Sequence, residues 1–232
     1  VWQGIHLPPE TAGLSMTESK QKAEAPPAPR KLSREARRQQ LIESTIETLA
    51  VRGFARTTLT DVAKHAGLSH GLVNFHFETK DKLLTETLLY LAEEYRLNWT
   101  TAMAAAKPGV SHQLEAMLKA DFNPAICTAS RLSAWCAFWG EAQCRPMYQD
   151  QCGSNDAAYN ALLESLCAQL NEETGRSANP ERVARVLRVT TEGVWLDMMT
   201  MNTPYIREEA QRTVFTCAAA FYPDTFTEDG LK

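Results

Sequence analysis

GFARTTLTDVAKHAGLSHGLVNFHFETKDKLL, residues 53–84, carries two short helical patterns joined by a tight turn that contains Gly67. Thr58 stands before the first pattern, with a hydroxyl placed to accept from a free backbone N–H, and Asp61 three positions on completes a capping box. Leu59, Val62, Ala63 and Ala66 fall on one apolar face. Gly67 follows where the chain must take a positive φ to leave the helix, and Ser69 is placed to cap the next one. A small residue at Ala63 lets two helices approach, Gly67 turns the chain, and the β-branched Val73 fills the crossing. The pattern predicts a helix-turn-helix, the unit that lays its second helix in the major groove of DNA.

With those residues read, the stretch resembles the N-terminal domain of TetR-family repressors: the A-G-x-S turn is Ala66 to Ser69, the aromatic pair is Phe75 and Phe77, and Lys80 follows. One departure is Asn74, where that family commonly has Tyr. The resemblance implies that Ser69, His70, Gly71 and Asn74 face the major groove, with Phe75 in the same DNA-binding set, while Thr58, His76 and Lys80 hold phosphates. Because asparagine can pair with adenine N6 and N7 through two hydrogen bonds, Asn74 is expected to read a base where the usual side chain touches the backbone.

Charge is divided along the chain in a way that suits this reading. The 232 residues carry a net charge of −4, yet residues 30–82 hold ten Lys or Arg against six Asp or Glu, and residues 83–232 hold twelve against nineteen. The basic part coincides with the helix-turn-helix, as phosphate neutralisation requires, and the acidic remainder would be held away from the duplex. Arg30, Lys31, Arg34, Arg37 and Arg38 lead into an apolar stripe of Leu41, Ile42, Thr45, Ile46 and Leu49, a helix with a basic entry that lies along phosphates, enters a neighbouring minor groove or simply serves solubility.

At 44% hydrophobic, the chain is long enough for one small domain and one larger one. We expect a disordered leader over 1–29, rich in proline and with Met16 as an alternative start, a DNA-binding domain over 30–82, an effector-binding and dimerisation domain over 83–222, and a tail over 223–232. Thr79 is placed to cap a long helix through Leu83, Leu84, Leu88, Leu91, Tyr95 and Trp99 that ends at Pro108 and Gly109 and links the two domains. Further helices are expected over about 112–122, 129–143, 147–172, 180–201 and 205–220, which makes the fold all-α with about nine helices. Apolar residues of the last two, among them Val183, Val186, Leu187, Val194, Val214 and Phe215, exceed what one monomer should cover, so a homodimer is expected.

Six cysteines, Cys127, Cys136, Cys144, Cys152, Cys167 and Cys217, show no C-x-x-C pair and no histidine at ligand spacing. They read as reduced thiols of a cytoplasmic protein, mostly in the core, with Cys136 and Cys144 candidates for a pocket lining. The sequence shows no charged n-region leading into an apolar h-region, no uninterrupted apolar stretch long enough to span a bilayer, and no Gly-rich phosphate loop or nucleophile elbow. No cofactor or metal is therefore expected, and no catalysis.

LSAWCAFWGEA, residues 132–142, and EGVWLDMM, residues 192–199, resemble the C-terminal domain of the BetI-type repressors of glycine betaine synthesis, which respond to choline. Trp135, Phe138 and Trp139 share a helix face at i, i+3 and i+4, while Trp195 lies on a later helix with Glu192 one turn before it. Such an aromatic stripe is either plain core or the wall of a cation site, because a quaternary ammonium ion is bound by aromatic faces and a carboxylate, with no strong hydrogen bond to offer. The resemblance implies a repressor that binds double-stranded operator DNA and is released by a choline-like cation bound at Trp135, Phe138, Trp139, Glu192 and Trp195. The same scaffold sensing a drug or another metabolite is the alternative.

Overall fold

The computed structural model describes residues 33–141, 145–202 and 206–232; the leader 1–29, with Arg30, Lys31 and Cys144, lies outside them. Among the described residues nine helices follow one another: α1 Arg34–Arg56, α2 Leu59–Ala66, α3 His70–Phe77, α4 Lys80–Ala105, α5 Val110–Ala120, α6 Ala129–Gly140, α7 Arg145–Thr174, α8 Pro180–Thr200 and α9 Arg207–Phe221. The all-α expectation is met, and the local signals explain the helix boundaries. Ser33 accepts from the Ala36 N–H at 3.1 Å, Thr58 from Asp61 at 3.2 Å, Ser69 from Leu72 at 3.3 Å, Thr79 from Lys82 at 3.2 Å and Asn179 from Arg182 at 2.8 Å. Pro180 opens α8, where its missing N–H costs nothing. Gly67 ends α2 at φ 66°, ψ 33°, the left-handed conformation that the turn demands.

Between α3 and α4 the chain turns in three residues. Glu78 takes φ 61°, ψ −52°, and the Thr79 N–H donates to the Phe77 carbonyl at 2.6 Å across it. That is a γ-turn of the rare, strained hand.

Two hydrophobic cores organise the helices. The N-terminal one gathers Leu41, Ile46, Leu49, Val62, Val73, Phe77, Leu84 and Leu88, and Ala134, Trp135 and Phe138 of α6 join it. The larger one is built on Trp99, Leu114, Phe122, Leu163, Leu187 and Phe215. Helix α4 contributes Leu83 to Ala92 to the first and Trp99 to the second. Its 26 residues span about 39 Å at 1.5 Å per residue, so one rigid rod belongs to both cores.

Most of the apolar residues expected to need a partner are covered within the chain: Val183, Leu187, Val194, Val214 and Phe215 are each at most 4% exposed. Helices α8 and α9 bury them against each other and α7. What α8 leaves outside is a different stripe, Val186, Val189 and Leu196, at 37%, 52% and 49% exposure.

After α9 the last ten residues do more than trail away. Phe226–Thr227 pairs antiparallel with Gly230–Leu231, and Phe226 is 1% exposed with its ring 6.1 Å from that of Phe215. Burying one such side chain contributes about 1.5–3 kcal/mol. Gly230 is required there: its φ is +116°, and a Cβ would lie 2.7 Å from a Glu115 carboxylate oxygen. Two-residue strands are too short to leave an alternating pattern, which is why residues 223–232 read as a tail. No helix among the described residues is long and apolar enough to cross a membrane.

Candidate functional site

Two places carry the residues singled out in the sequence. The first is the outer face of α3. Ser69, His70 and Gly71 are exposed at its start, Phe75 is 65% exposed one turn on, and Asn74 between them is half-buried with its amide 3.2 Å from His70 Nδ1. Val73 and Phe77, on the opposite side, are fully buried and fix the helix to the core. Thr58 is exposed at the N-terminus of α2, where the free backbone N–H groups and the helix dipole favour an anion.

Two expected phosphate contacts are placed otherwise. Lys80 turns inward: its Nζ donates to the Phe54 and Ala55 carbonyls at 3.0 and 3.1 Å, capping the end of α1, and lies 5.6 Å from the Phe54 ring centroid. His76 is buried, and its Nδ1 has no hydrogen-bond partner among the described residues. Burial, reinforced by Arg34, Arg38 and Arg37, lowers its pKa below the usual histidine value, so the ring is neutral at pH 7 and a poor phosphate ligand. The basic entry of α1 borders the same face. The Arg34 guanidinium lies 5.7 Å from the exposed Phe75 ring, at the edge of the α3 face, while Arg38 sits 4.6 Å from Phe77 and pairs with Glu86.

The second place is a cavity of 790 Å³ between α4, α6, α7 and α8. Four of the five expected effector residues line it: Trp135, Trp139, Glu192 and Trp195. Trp139 stacks on Trp135 at 5.8 Å and faces Trp195 at 6.5 Å with an interplanar angle of 7°. Tyr95 of α4 stands edge-on to Trp135 and Trp195, 6.5 and 6.0 Å away. The expectation for Phe138 is corrected. It is 1% exposed on the other side of α6, edge-on to Phe54 of α1 at 5.7 Å, because i+3 and i+4 lie about 100° apart on a helix.

The cavity also holds polar groups that the sequence did not single out. Asp121, wholly buried after α5, accepts hydrogen bonds from Tyr95 Oη at 2.7 Å and Tyr159 Oη at 2.9 Å, and its backbone carbonyl accepts from Trp195 Nε1 at 3.2 Å. Asp156 accepts from Tyr148 Oη at 3.0 Å, and Glu192 is held by Arg188 Nη1 at 2.5 Å. Burial raises Asp121 to about 7, against the lowering effect of its two tyrosines, with Glu192 adding to the rise. Asp156 is also raised, again by burial. Cys136 lines the cavity, as expected; Cys127, Cys152 and Cys167 are buried free thiols. No group of His, Cys, Asp or Glu that could hold a metal ion occurs among the described residues.

An exposed face on a short capped helix and a large aromatic cavity in the helices behind it suit a protein that couples a small molecule to a macromolecular surface. Comparison with known proteins agrees. Residues 41–87 match the profile of bacterial regulatory proteins of the tetR family, and residues 110–223 match that of the BetI-type transcriptional repressor C-terminal domain. The chain is 31% identical over 180 residues to the HTH-type transcriptional regulator BetI of Paraburkholderia xenovorans, covering 78% of this chain and 90% of that one. It is also 31% identical over 163 residues to BetI of Burkholderia mallei, covering 70% and 82%. Among solved structures, a transcriptional regulator of Pseudomonas aeruginosa PAO1 shares the fold with TM-score 0.69 and 28% identity over 84% of this chain and 92% of that one. A regulator of Saccharomonospora viridis, crystallised in complex with choline, shares the fold with TM-score 0.65 at 16% identity over 83% and 98%.

Proposed function

Since the chain belongs to the TetR family of transcriptional regulators, with a BetI-type C-terminal domain, we propose that it is a repressor of choline-to-glycine-betaine genes that leaves its operator when a choline-like cation enters the 790 Å³ cavity. The observation that carries this reading is the cage of Trp135, Trp139, Trp195 and Tyr95 at the cavity wall, since quaternary ammonium ions are held by aromatic faces. The repressor acts in the cytoplasm as a homodimer, and the exposed α8 stripe of Val186, Val189 and Leu196 is the surface that a second copy would cover. Two α3 helices then read a pseudo-palindrome, with Ser69, His70, Gly71 and Asn74 toward the bases, Phe75 and Arg34 at the edge, and the N-terminus of α2 at Thr58 on a phosphate. Contacts of about 0.5–2 kcal/mol per aromatic face give modest affinity after binding costs, as a metabolite sensor requires.

Effector and operator are then linked: choline displaces the equilibrium only by preferring the conformer that fits DNA less well. The test is a choline titration of intrinsic tryptophan fluorescence beside an operator-binding assay, on wild type and Trp139→Ala. Saturable quenching with operator release is expected for wild type, and no response, with ligand-free operator affinity kept, for the variant. Identical responses of the two proteins would show that these indoles are core and that the effector site lies elsewhere.

A further inference from the structure

The sequence points to Glu192 as the acidic group of the effector site, but that carboxylate already has a cation. Arg188 Nη1 is 2.5 Å from it, one turn away on the same helix. Asp156 takes the Tyr148 hydroxyl and feels Arg188 as well. Asp121 differs from both. It is 0% exposed, it lies on the cavity wall, and its only side-chain partners among the described residues are two neutral hydroxyls, Tyr95 on Oδ1 and Tyr159 on Oδ2. Trp135, Trp195 and Tyr95 line the same cavity, and Tyr95 and Trp195 meet Asp121 through Oη and Nε1.

An ionised carboxylate buried without a cation is costly, and two neutral hydrogen bonds offset only part of that cost. A structural carboxylate would ordinarily be paired with a basic side chain. This one lies at the wall of a cavity lined by aromatic rings and large enough for a ligand. We infer that Asp121 is the charge-specificity residue of the cavity, the anion that makes it select a cationic effector over a neutral molecule of the same shape. This rests on the reading of the cavity as an organic-cation site. Asp121 need not touch the ligand, because in a poorly solvated site a charge acts over several ångströms. Tyr95 both shields it and shares the aromatic wall, so the hydroxyl that fixes the carboxylate also fixes one face of the cage.

Proton and cation then compete for the same charge. The carboxyl sits near 7 because burial favours its neutral form, so a bound cation draws it into the ionised form and a proton leaves. Other titratable groups face the cavity from each neighbouring helix: Tyr95 on α4, Cys136 on α6, Tyr148, Asp156 and Tyr159 on α7, and Arg188 and Glu192 on α8. Asp156 is also raised, so the pH effect is assigned by substitution and not by the profile alone.

The experiment compares choline with its uncharged isostere 3,3-dimethylbutan-1-ol, titrated into the full chain by calorimetry at pH 6, 7 and 8. The proteins are wild type, Asp121→Asn, Glu192→Gln and Tyr159→Phe, each checked for native melting. Wild type should prefer choline, more strongly at pH 8 than at pH 6. Asp121→Asn should lower the choline preference on the order of tenfold, leave isostere binding unchanged or tighter, and remove most of the pH dependence. Glu192→Gln should keep a choline preference that rises with pH, with the rise moved to lower pH because the Glu192 charge no longer adds to the Asp121 shift. Tyr159→Phe keeps the carboxylate but withdraws a donor to its charged form, so its choline binding should fall at pH 6 and recover toward pH 8. Asp121→Asn losing both ligands equally, or keeping the wild-type preference, would overturn the assignment to Asp121 while leaving the effector site standing. A wild-type protein that ignores choline at every pH would remove the cation-site reading itself, and this inference with it.

Discussion

Arg131 of α6 reaches across to Glu43 of α1, its Nη2 donating to the carboxylate at 3.1 Å while its Nε donates to Glu94 of α4 at 2.7 Å. The guanidinium side chain is 14% exposed, and Tyr90 Oη completes the cluster by donating to Glu43 at 2.8 Å. One arginine four residues before Trp135 therefore holds the first helix of the DNA-binding part and the helix that links both cores.

Removing it should separate binding from response. Arg131→Ala leaves two carboxylates facing each other and should cost about 1–3 kcal/mol of stability, partly screened because Glu43 is more exposed than its partner. Choline affinity should stay near wild type while its effect on operator binding shrinks. A thermal melt and a paired ligand and operator titration check both; an unchanged operator response would mean that the α1–α6 bridge carries none of the coupling.

On the DNA face, Asn74 and Lys80 should differ in kind. Asn74→Ala should cost about 1–3 kcal/mol on the cognate operator and little on random DNA, as a lost base contact does. Lys80→Ala withdraws the cap from the Phe54 and Ala55 carbonyls, so it should lower the melting temperature and weaken all DNA alike, without removing a full phosphate contact from the salt slope. Gel shifts over a salt series, with melts of both variants, separate these outcomes.

The dimer reading makes α8 testable. Val186 is 37% exposed and lies outside the cavity lining, so Val186→Asp should leave the monomer folded and choline binding near normal. It should convert a dimer to a monomer in light scattering at micromolar concentration and weaken operator binding strongly. A variant that remains dimeric would move the interface away from this stripe.

Stability should also respond to pH through Asp121. Its carboxyl is raised from 3.8 to about 7 in the folded chain, so the folded state binds its proton more tightly than the unfolded one. The sign follows: its contribution is fully present below about 3.8 and is lost as pH rises through about 7. Asp121→Asn should therefore raise the ligand-free melting temperature at pH 8 relative to wild type, by an amount that shrinks toward pH 5. The full shift corresponds to a few kcal/mol, on the order of 1.4 kcal/mol per pH unit. Melts at four pH values would show whether the difference grows with pH.

Much of this was legible in the chain because caps and turns are local. Thr58, Gly67, Ser69, Thr79 and Asn179 each act within three or four residues, and the structure places each at the helix end where its chemistry belongs. Trp135, Trp139 and Trp195 could be grouped by helical spacing and by resemblance. Asp121, Tyr95 and Tyr159 could not, since they come from three segments 26 and 38 positions apart and only packing brings them together. Phe138 was grouped by the same spacing and faces the other way, because sharing one broad helix face does not fix which cavity a side chain enters. The phosphate role expected of Lys80 comes from the family resemblance; that α1 ends beside it is a tertiary fact.

The γ-turn at Phe77–Glu78–Thr79 has a mechanical meaning. A longer loop between α3 and α4 would take up small displacements as slack, and a tilt of the long helix would arrive at the reading helix diminished. Three residues, closed by one 2.6 Å hydrogen bond around a strained Glu78, leave a joint without backlash. A tilt of α4 at Tyr95, which lines the cavity about 22 Å along the rod from Lys80, would reach α3 through this joint with little slack.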